Sequence, residues 1–130
     1  MDANEFIAER TKKWERERDL NEPVVRTKDI GRRGWVLWAR RAWTFQIQTN
    51  FPVKVNTIER LQVVKIDGQR YHPGGVVEDD SEYRIGYWIM GGYGKGIGQW
   101  RWGQYSLLIP VADLGELLRR ATAEGTILAS

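Results

Sequence analysis

Residues 82–110 read EYRIGYWIMGGYGKGIGQWRWGQYSLLIP, and the fold turns on how they pair. Tyr83, Ile85, Tyr87 and Ile89 alternate with Arg84, Gly86, Trp88 and Met90, the two-residue period of a strand. A glycine-rich loop follows, and the aromatic pattern resumes at Trp100. The stretch is therefore a β-hairpin, and it holds three of the seven tryptophans. With a loop spanning Gly91–Gly98, Met90 faces Gln99. The pairs then continue as Trp88 with Arg101, Gly86 with Gly103, and Arg84 with Tyr105. Cross-strand neighbours share a face, so this register shows two cation–π-capable pairs around a two-glycine gap. A planar ring such as a nucleobase fits such a gap, and stacking on an aromatic is worth about 1–3 kcal/mol. The opposite face, with Tyr83, Ile85, Tyr87, Ile89, Trp100 and Trp102, is far more apolar and is expected to form the core. A one-residue slip separates Arg84 from Arg101. The plainer alternative is that the glycines permit twist and Trp88 covers the gap from its own sheet.

The loop GGYGKGIG lacks the Walker pattern, because Gly96 rather than Ser or Thr follows Lys95 and a strand rather than a helix comes next. It reads as a hairpin tip or flap with Tyr93 and Lys95 as its reaching side chains.

Upstream, Arg60–Ile66 is a strand, Asp67-Gly68 a strong hairpin signal, and Gln69–His72 its return. The run Glu78, Asp79, Asp80 and Glu82 lacks the spacing of an EF-hand loop and reads as a solvated turn. His72, the one histidine, has no placed partner for acid–base work. Ser81, Ser106 and Thr126 sit in no nucleophile motif. No cofactor or metal is implied, and no motif asks to be called an active site, so the reading leans away from an enzyme without deciding it.

Residues 35–49, WVLWARRAWTFQIQT, are strand formers. Trp43, Phe45 and Ile47 alternate with Thr44, Gln46 and Gln48, which predicts one buried face and one wet face. Arg40–Arg41 is either a turn between two strands or a bend within one. Residues 20–34 read as a linker, with Pro23 ending the helical pattern before it. That pattern covers residues 2–19. Asp2 and Glu5 have capping-box spacing, and a thin stripe of Phe6, Ile7 and Trp14 docks a mostly solvated helix. Downstream, Pro110 suits a first helical turn. Leu114, Leu117, Leu118 and Ala121 form one apolar face over residues 110–124, and Gly125 suits the position just past the helix end.

These elements predict a single α+β domain over residues 1–130. Its centre is a mainly antiparallel, twisted sheet of about five to six strands within 35–109. The C-terminal helix packs on one face and the N-terminal helix is peripheral. A length of 130 residues suits one domain. No cysteine is present, which excludes disulfides and thiolate metal sites. No stretch approaches the roughly 18 apolar residues of a membrane span, and the N-terminus lacks a signal-peptide run. The expectation is a cytoplasmic chain with no membrane partner.

Net charge is +3, and its distribution is uneven. Arg26, Lys28, Arg32, Arg33, Arg40 and Arg41 face only Asp29 within residues 26–41, a cluster suited to phosphates. The expected function is a non-catalytic module that binds nucleic acid, single-stranded where the aromatics are open. Arg84, Trp88, Arg101 and Tyr105 would stack and contact phosphate, with Arg32, Arg33, Arg40, Arg41 and Lys95 adding charge. Two alternatives come from other classes. One is a protein-interaction or homo-oligomerisation module using the Trp-rich strands. The other is a small-ligand protein or small enzyme with a pocket under the glycine-rich flap.

Overall fold

The computed structural model describes residues 1–28, 34–68, 75–92 and 94–129, the side chain of Lys95 excepted. The chain begins with helix α1 (Ala3–Asp19) and continues through strands β1 (Pro23–Lys28), β2 (Trp35–Ile47), β3 (Lys54–Asp67), β4 (Ser81–Met90) and β5 (Trp100–Trp102). Helix α2 (Val111–Ala123) completes it. The strands form one curled antiparallel sheet in sequence order, so the expected α+β architecture is present with five strands. The proposed return strand at Gln69–His72 lies outside the described residues, and β3 instead pairs with β4.

Helix α1 starts where Asp2 Oδ1 accepts the Glu5 N–H at 2.8 Å. It stops at Asn21, whose φ of 55° is left-handed, while the Glu22 N–H returns to the Glu17 carbonyl at 3.0 Å. Asn tolerates that conformation, and the motif turns the chain back sharply. The linker expected at 20–34 is therefore half strand. Pro23, unable to donate to a ladder, opens β1 on the sheet edge. Its partner β2 is one strand rather than two. Irregularities between Leu37 and Trp38 and between Arg40 and Ala42 absorb the extra residues.

The two faces of β2 do not divide as their hydrophobicity suggests. Thr44 and Gln46 are each 2% exposed, and Gln48 is buried as well, so the face expected to be wet lies inside. Helix α2 covers it and supplies the hydrogen bonds that burial demands. Gln46 Nε2 donates to the Asp113 carbonyl at 2.9 Å, and Thr44 Oγ1 donates to Glu124 Oε2 at 2.6 Å. The buried Asp113 carboxylate accepts from the N–H and hydroxyl of Thr49 at 2.9 and 2.8 Å. Leu117 and Ala121 pack on Ile58 in the same layer. Only half of the helical stripe is used, because Leu114 and Leu118 remain 40% and 39% exposed.

The other face of β2 carries Trp43, Phe45 and Ile47, and α1 docks there through Phe6 and Trp14, both 2% exposed. Trp14 stacks on Phe45 with centroids 5.0 Å apart and meets Trp43 edge-on at 5.6 Å. Phe6 stacks on Trp100 at 4.7 Å. Helix α1 is thin in apolar residues, yet its two large rings reach the centre of the aromatic layer. A third cluster, with Val25, Val36, Trp38, Leu61 and Val63, fills the β1 end of the sheet. At the opposite end the buried Lys54 ammonium donates to the Leu108 carbonyl at 2.5 Å and tethers the segment leading into α2. Burial holds that ammonium below the ordinary lysine value.

Candidate nucleic-acid interface

The hairpin at 82–110 forms with its register moved by one residue. Trp88 pairs with Trp102, Ile89 with Arg101, and Met90 with Trp100. The cause is the loop. It tightens into a 3-10 turn at Gly94–Gly96, and the Gly91 N–H closes on the Gln99 carbonyl at 3.0 Å, drawing Gln99 into the loop. Backbones approach so closely there that a Cβ on Gly91 would lie 2.3 Å from the Gly96 carbonyl oxygen.

This slip redistributes the expected site. Arg84, Gly86 and Trp88 share the α1-side face with Trp100 and Trp102, not with Arg101 and Tyr105. The apolar face assigned to the core is half open, with Tyr83 at 46% and Ile85 at 49% exposure. The two-glycine gap is also gone. A Cβ on Gly86 would meet Trp102 Cη2 at 2.4 Å, and one on Gly103 would meet the Tyr87 ring at 2.1 Å. Each glycine is thus covered by a ring of the protein itself. Arg101 is exposed and donates to Gln99 Oε1 at 3.3 Å. Tyr105 is 84% exposed, beyond the end of β5. Arg41 turns away to Gln62 Oε1 and Asn21 Oδ1, at 2.8 and 2.6 Å. Arg32, Arg33 and the Lys95 side chain lie outside the described residues.

Arg84, Trp88 and Arg40 do come together, in a cleft of about 350 Å³ between α1 and the curled sheet. At its base lies Glu59, 0% exposed. Arg40 Nε donates to Glu59 Oε2 at 2.8 Å from β2, and Arg84 Nη2 donates to Glu59 Oε1 at 2.9 Å from β4. One carboxylate balances one guanidinium, so the triad of buried Arg40 and Glu59 with half-buried Arg84 carries an excess positive charge. Burial pulls Arg40 below the ordinary guanidinium value, and the adjacent Glu59 carboxylate opposes that shift. Arg10, Lys13 and Arg26 line the cleft above. Five cations therefore stand against the carboxylates of Glu17 and Glu59.

Aromatic rings hold the four arginines in place. Arg40 lies 3.8 Å from the Trp14 centroid, Arg84 4.5 Å from Trp102, and Arg10 4.6 Å from Trp88. Arg26 sits 4.0 Å from Trp35 in the same manner. Cation–π contact contributes about 0.5–2 kcal/mol and fixes the guanidinium plane. The rings thus serve first as arginine supports. Three polar atoms in side chains lining the cleft are buried without a hydrogen-bond partner among the described residues: Arg40 Nη1, Trp88 Nε1 and Glu17 Oε1. Such groups cost about 1–3 kcal/mol each when unpaired.

Arg10, Lys13, Glu17, Trp102 and Glu59 were absent from the sequence-derived site. Glu59 gave one usable signal: a lone carboxylate within the strand-forming run VNTIERLQVV asks for a buried cation partner. Among the described residues no helix is long and apolar enough to cross a membrane. Comparison with protein-family models, with curated proteins and with solved structures returns no match for this chain.

Proposed function

We propose that the protein is a non-catalytic module that binds single-stranded nucleic acid through the α1-side cleft, with phosphates meeting Arg10, Lys13 and Arg26. The observation that carries this reading is the convergence of four ring-supported arginines and Lys13 on one cleft. Guanidinium groups already held in place lose little entropy on meeting an anion. A recess of about 350 Å³ suits one nucleotide unit of a flexible strand, whose bases can stack on arginine planes. A cysteine-free chain is compatible with the cytoplasm, where we place its work.

The test is fluorescence anisotropy with a labelled single-stranded oligonucleotide between about 50 and 200 mM salt. Three phosphate contacts predict a log–log salt slope of about −2, from roughly −0.7 per phosphate on a single strand. Neutralising Lys13 and Arg26 together should reduce the slope to about −0.7, the single contact left at Arg10. Absence of binding at the lowest salt would overturn the reading.

A second reading, protein interaction or self-association, rests on a different observation. Val111, Leu114, Leu118 and Ile85 leave apolar surface open around α2, with Val111 97% exposed. Open patches of this kind mark interaction sites. Solution mass as a function of concentration tests it, and a monomer at every concentration counts against self-association.

A further inference from the structure

We propose that the cleft takes the phosphate-bearing end of a strand: a terminal phosphomonoester, met by Arg84 on the sheet and by Arg10 and Lys13 on α1. This rests on the single-strand reading above and names the part of the strand that enters.

Arg10, Lys13, Trp14 and Glu17 fall at i, i+3, i+4 and i+7 of α1, so one face of the helix forms a wall of the cleft. Trp88 of β4 and Trp102 of β5 meet edge-on, with centroids 5.4 Å apart. Arg10 lies 4.6 Å from the first ring and Arg84 4.5 Å from the second. Two guanidinium groups are therefore mounted on one continuous pair of rings. Both remain within reach of solvent, since Arg10 is half-buried and the Arg84 side chain is 32% exposed. Arg84 donates to Glu59 through Nε and Nη2, at 3.1 and 2.9 Å, which leaves Nη1 outside that pair. Lys13 and Arg26 are exposed beside them. Arg40, 7% exposed in its side chain, is shut in and touches no ligand.

Charge decides which part of a strand fits. Glu59 accepts from both Arg40 and Arg84 with one negative charge, so the charge left over falls at the more exposed partner, Arg84. Five cations less the carboxylates of Glu17 and Glu59 leave an excess of three positive charges around about 350 Å³. Surfaces that follow the middle of a strand spread their cations along a groove. Here the cations converge on the space of one nucleotide unit. An internal unit brings a single negative charge into it. A terminal phosphomonoester brings about −1.5 to −2 at neutral pH, with three acceptor oxygens. Glu17 repels any anion, but the added charge gains more from Arg10, Lys13, Arg26 and Arg84 than it loses to one carboxylate.

The experiment is titration calorimetry of the full chain with unlabelled oligothymidine of one length. The forms compared are hydroxyl-ended, 5′-phosphorylated and 3′-phosphorylated, and each phosphate capped as its methyl diester. One monoester form should bind about tenfold tighter than the hydroxyl-ended strand, as added charge-assisted hydrogen bonds imply. Its methyl diester should stay within about threefold of the hydroxyl-ended strand. Arg84→Gln should bring the monoester and hydroxyl forms within about twofold of each other. If that variant fails to fold, Arg10→Gln takes its place with the same expectation. Equal affinities for all forms would overturn this inference and leave the nucleic-acid reading standing. A methyl diester that binds like the monoester would also overturn it, because any further phosphate would then suffice. Thymidine monophosphate that binds as tightly as the phosphorylated strand would overturn the assignment to a strand end. Binding of no form would remove both readings.

Discussion

The two faces of the sheet are covered by helices of opposite character, and the match is the reverse of what helix composition suggests. Helix α1 is mostly charged, yet Phe6 and Trp14 anchor it in an aromatic layer, and a charge triad centred on the buried Glu59 lies beside them. Helix α2 is strongly amphipathic, yet it docks on a face of Thr44, Gln46 and Asn56 and leaves Leu114 and Leu118 half open. Docking depth thus follows the chemistry of the sheet face. Two rings, Phe6 and Trp14, bury α1 on an aromatic face, while Leu117 and Ala121 alone of the four stripe positions are buried where α2 meets the polar face. The consequence is functional: the α1 side holds polarised, oriented charge, and the α2 side holds spare apolar surface.

The largest expected effect that tests this contrast is at Glu59. Glu59→Gln removes the buried carboxylate hydrogen-bonded to both arginines and leaves the 7% exposed Arg40 without its counter-charge. A loss of about 3–5 kcal/mol in urea unfolding is expected, as for other broken buried ion pairs. A loss below about 1 kcal/mol would mean that the triad is solvated and the cleft electrostatically ordinary.

Next come the aliphatic positions of α2. Leu117→Ala should cost about 2–5 kcal/mol, whereas Leu118→Ala, one position on, should stay within about 1 kcal/mol. Equal losses at both positions would show that the outer stripe is covered in solution, which would favour self-association through α2. Gly86→Ala is expected to cost about 1–3 kcal/mol through overpacking against Trp102. Because the indole must lift to admit a methyl group, its fluorescence should shift to the red. A silent Gly86→Ala would mean that the ring does not cover the glycine.

The smallest effect is on the solvent side of α2. Arg119 and Arg120 both donate to Glu116 and hold its carboxyl at about 2, below its ordinary 4.5. A depressed carboxyl stabilises the fold above its unfolded value and loses that contribution as pH falls through its folded value. The difference between the unaltered protein and Glu116→Gln should therefore be small at neutral pH and fade between pH 4.5 and about 2. Exposure makes that difference slight.

Much of the fold was legible from local chemistry. The α1 start followed from Asp2, the hairpin from alternation around the glycine loop, and α2 from its 3-and-4 spacing closed by Gly125. The left-handed Asn21 hid β1, because the turn it makes needs no glycine signal. The register of the central hairpin depended on whether Gln99 belonged to the loop or to the strand, which glycine spacing alone does not decide. The site was harder for the same reason that it exists. Glu59, Arg40 and Arg84 lie on three different strands, and Glu17 on a helix, so their meeting is a property of strand order and not of any motif. Polar residues at Thr44 and Gln46 read as solvent-facing because a period-2 pattern reports polarity, whereas their burial depends on partners supplied by Asp113 and Glu124 far along the chain.

The central claim is that the α1 side of the sheet, and not the α2 side, meets nucleic acid. Titration of the ¹⁵N-labelled protein with a short single-stranded RNA, followed in the indole and arginine side-chain N–H region and in the backbone amides, tests it directly. The account predicts that the Trp88 Nε1–H and Arg40 side-chain resonances shift with the amides of Arg10, Lys13 and Arg26, while those of Val111–Ala123 stay in place. Shifts confined to α2 and to Tyr83–Ile85, with the cleft unchanged, would contradict it.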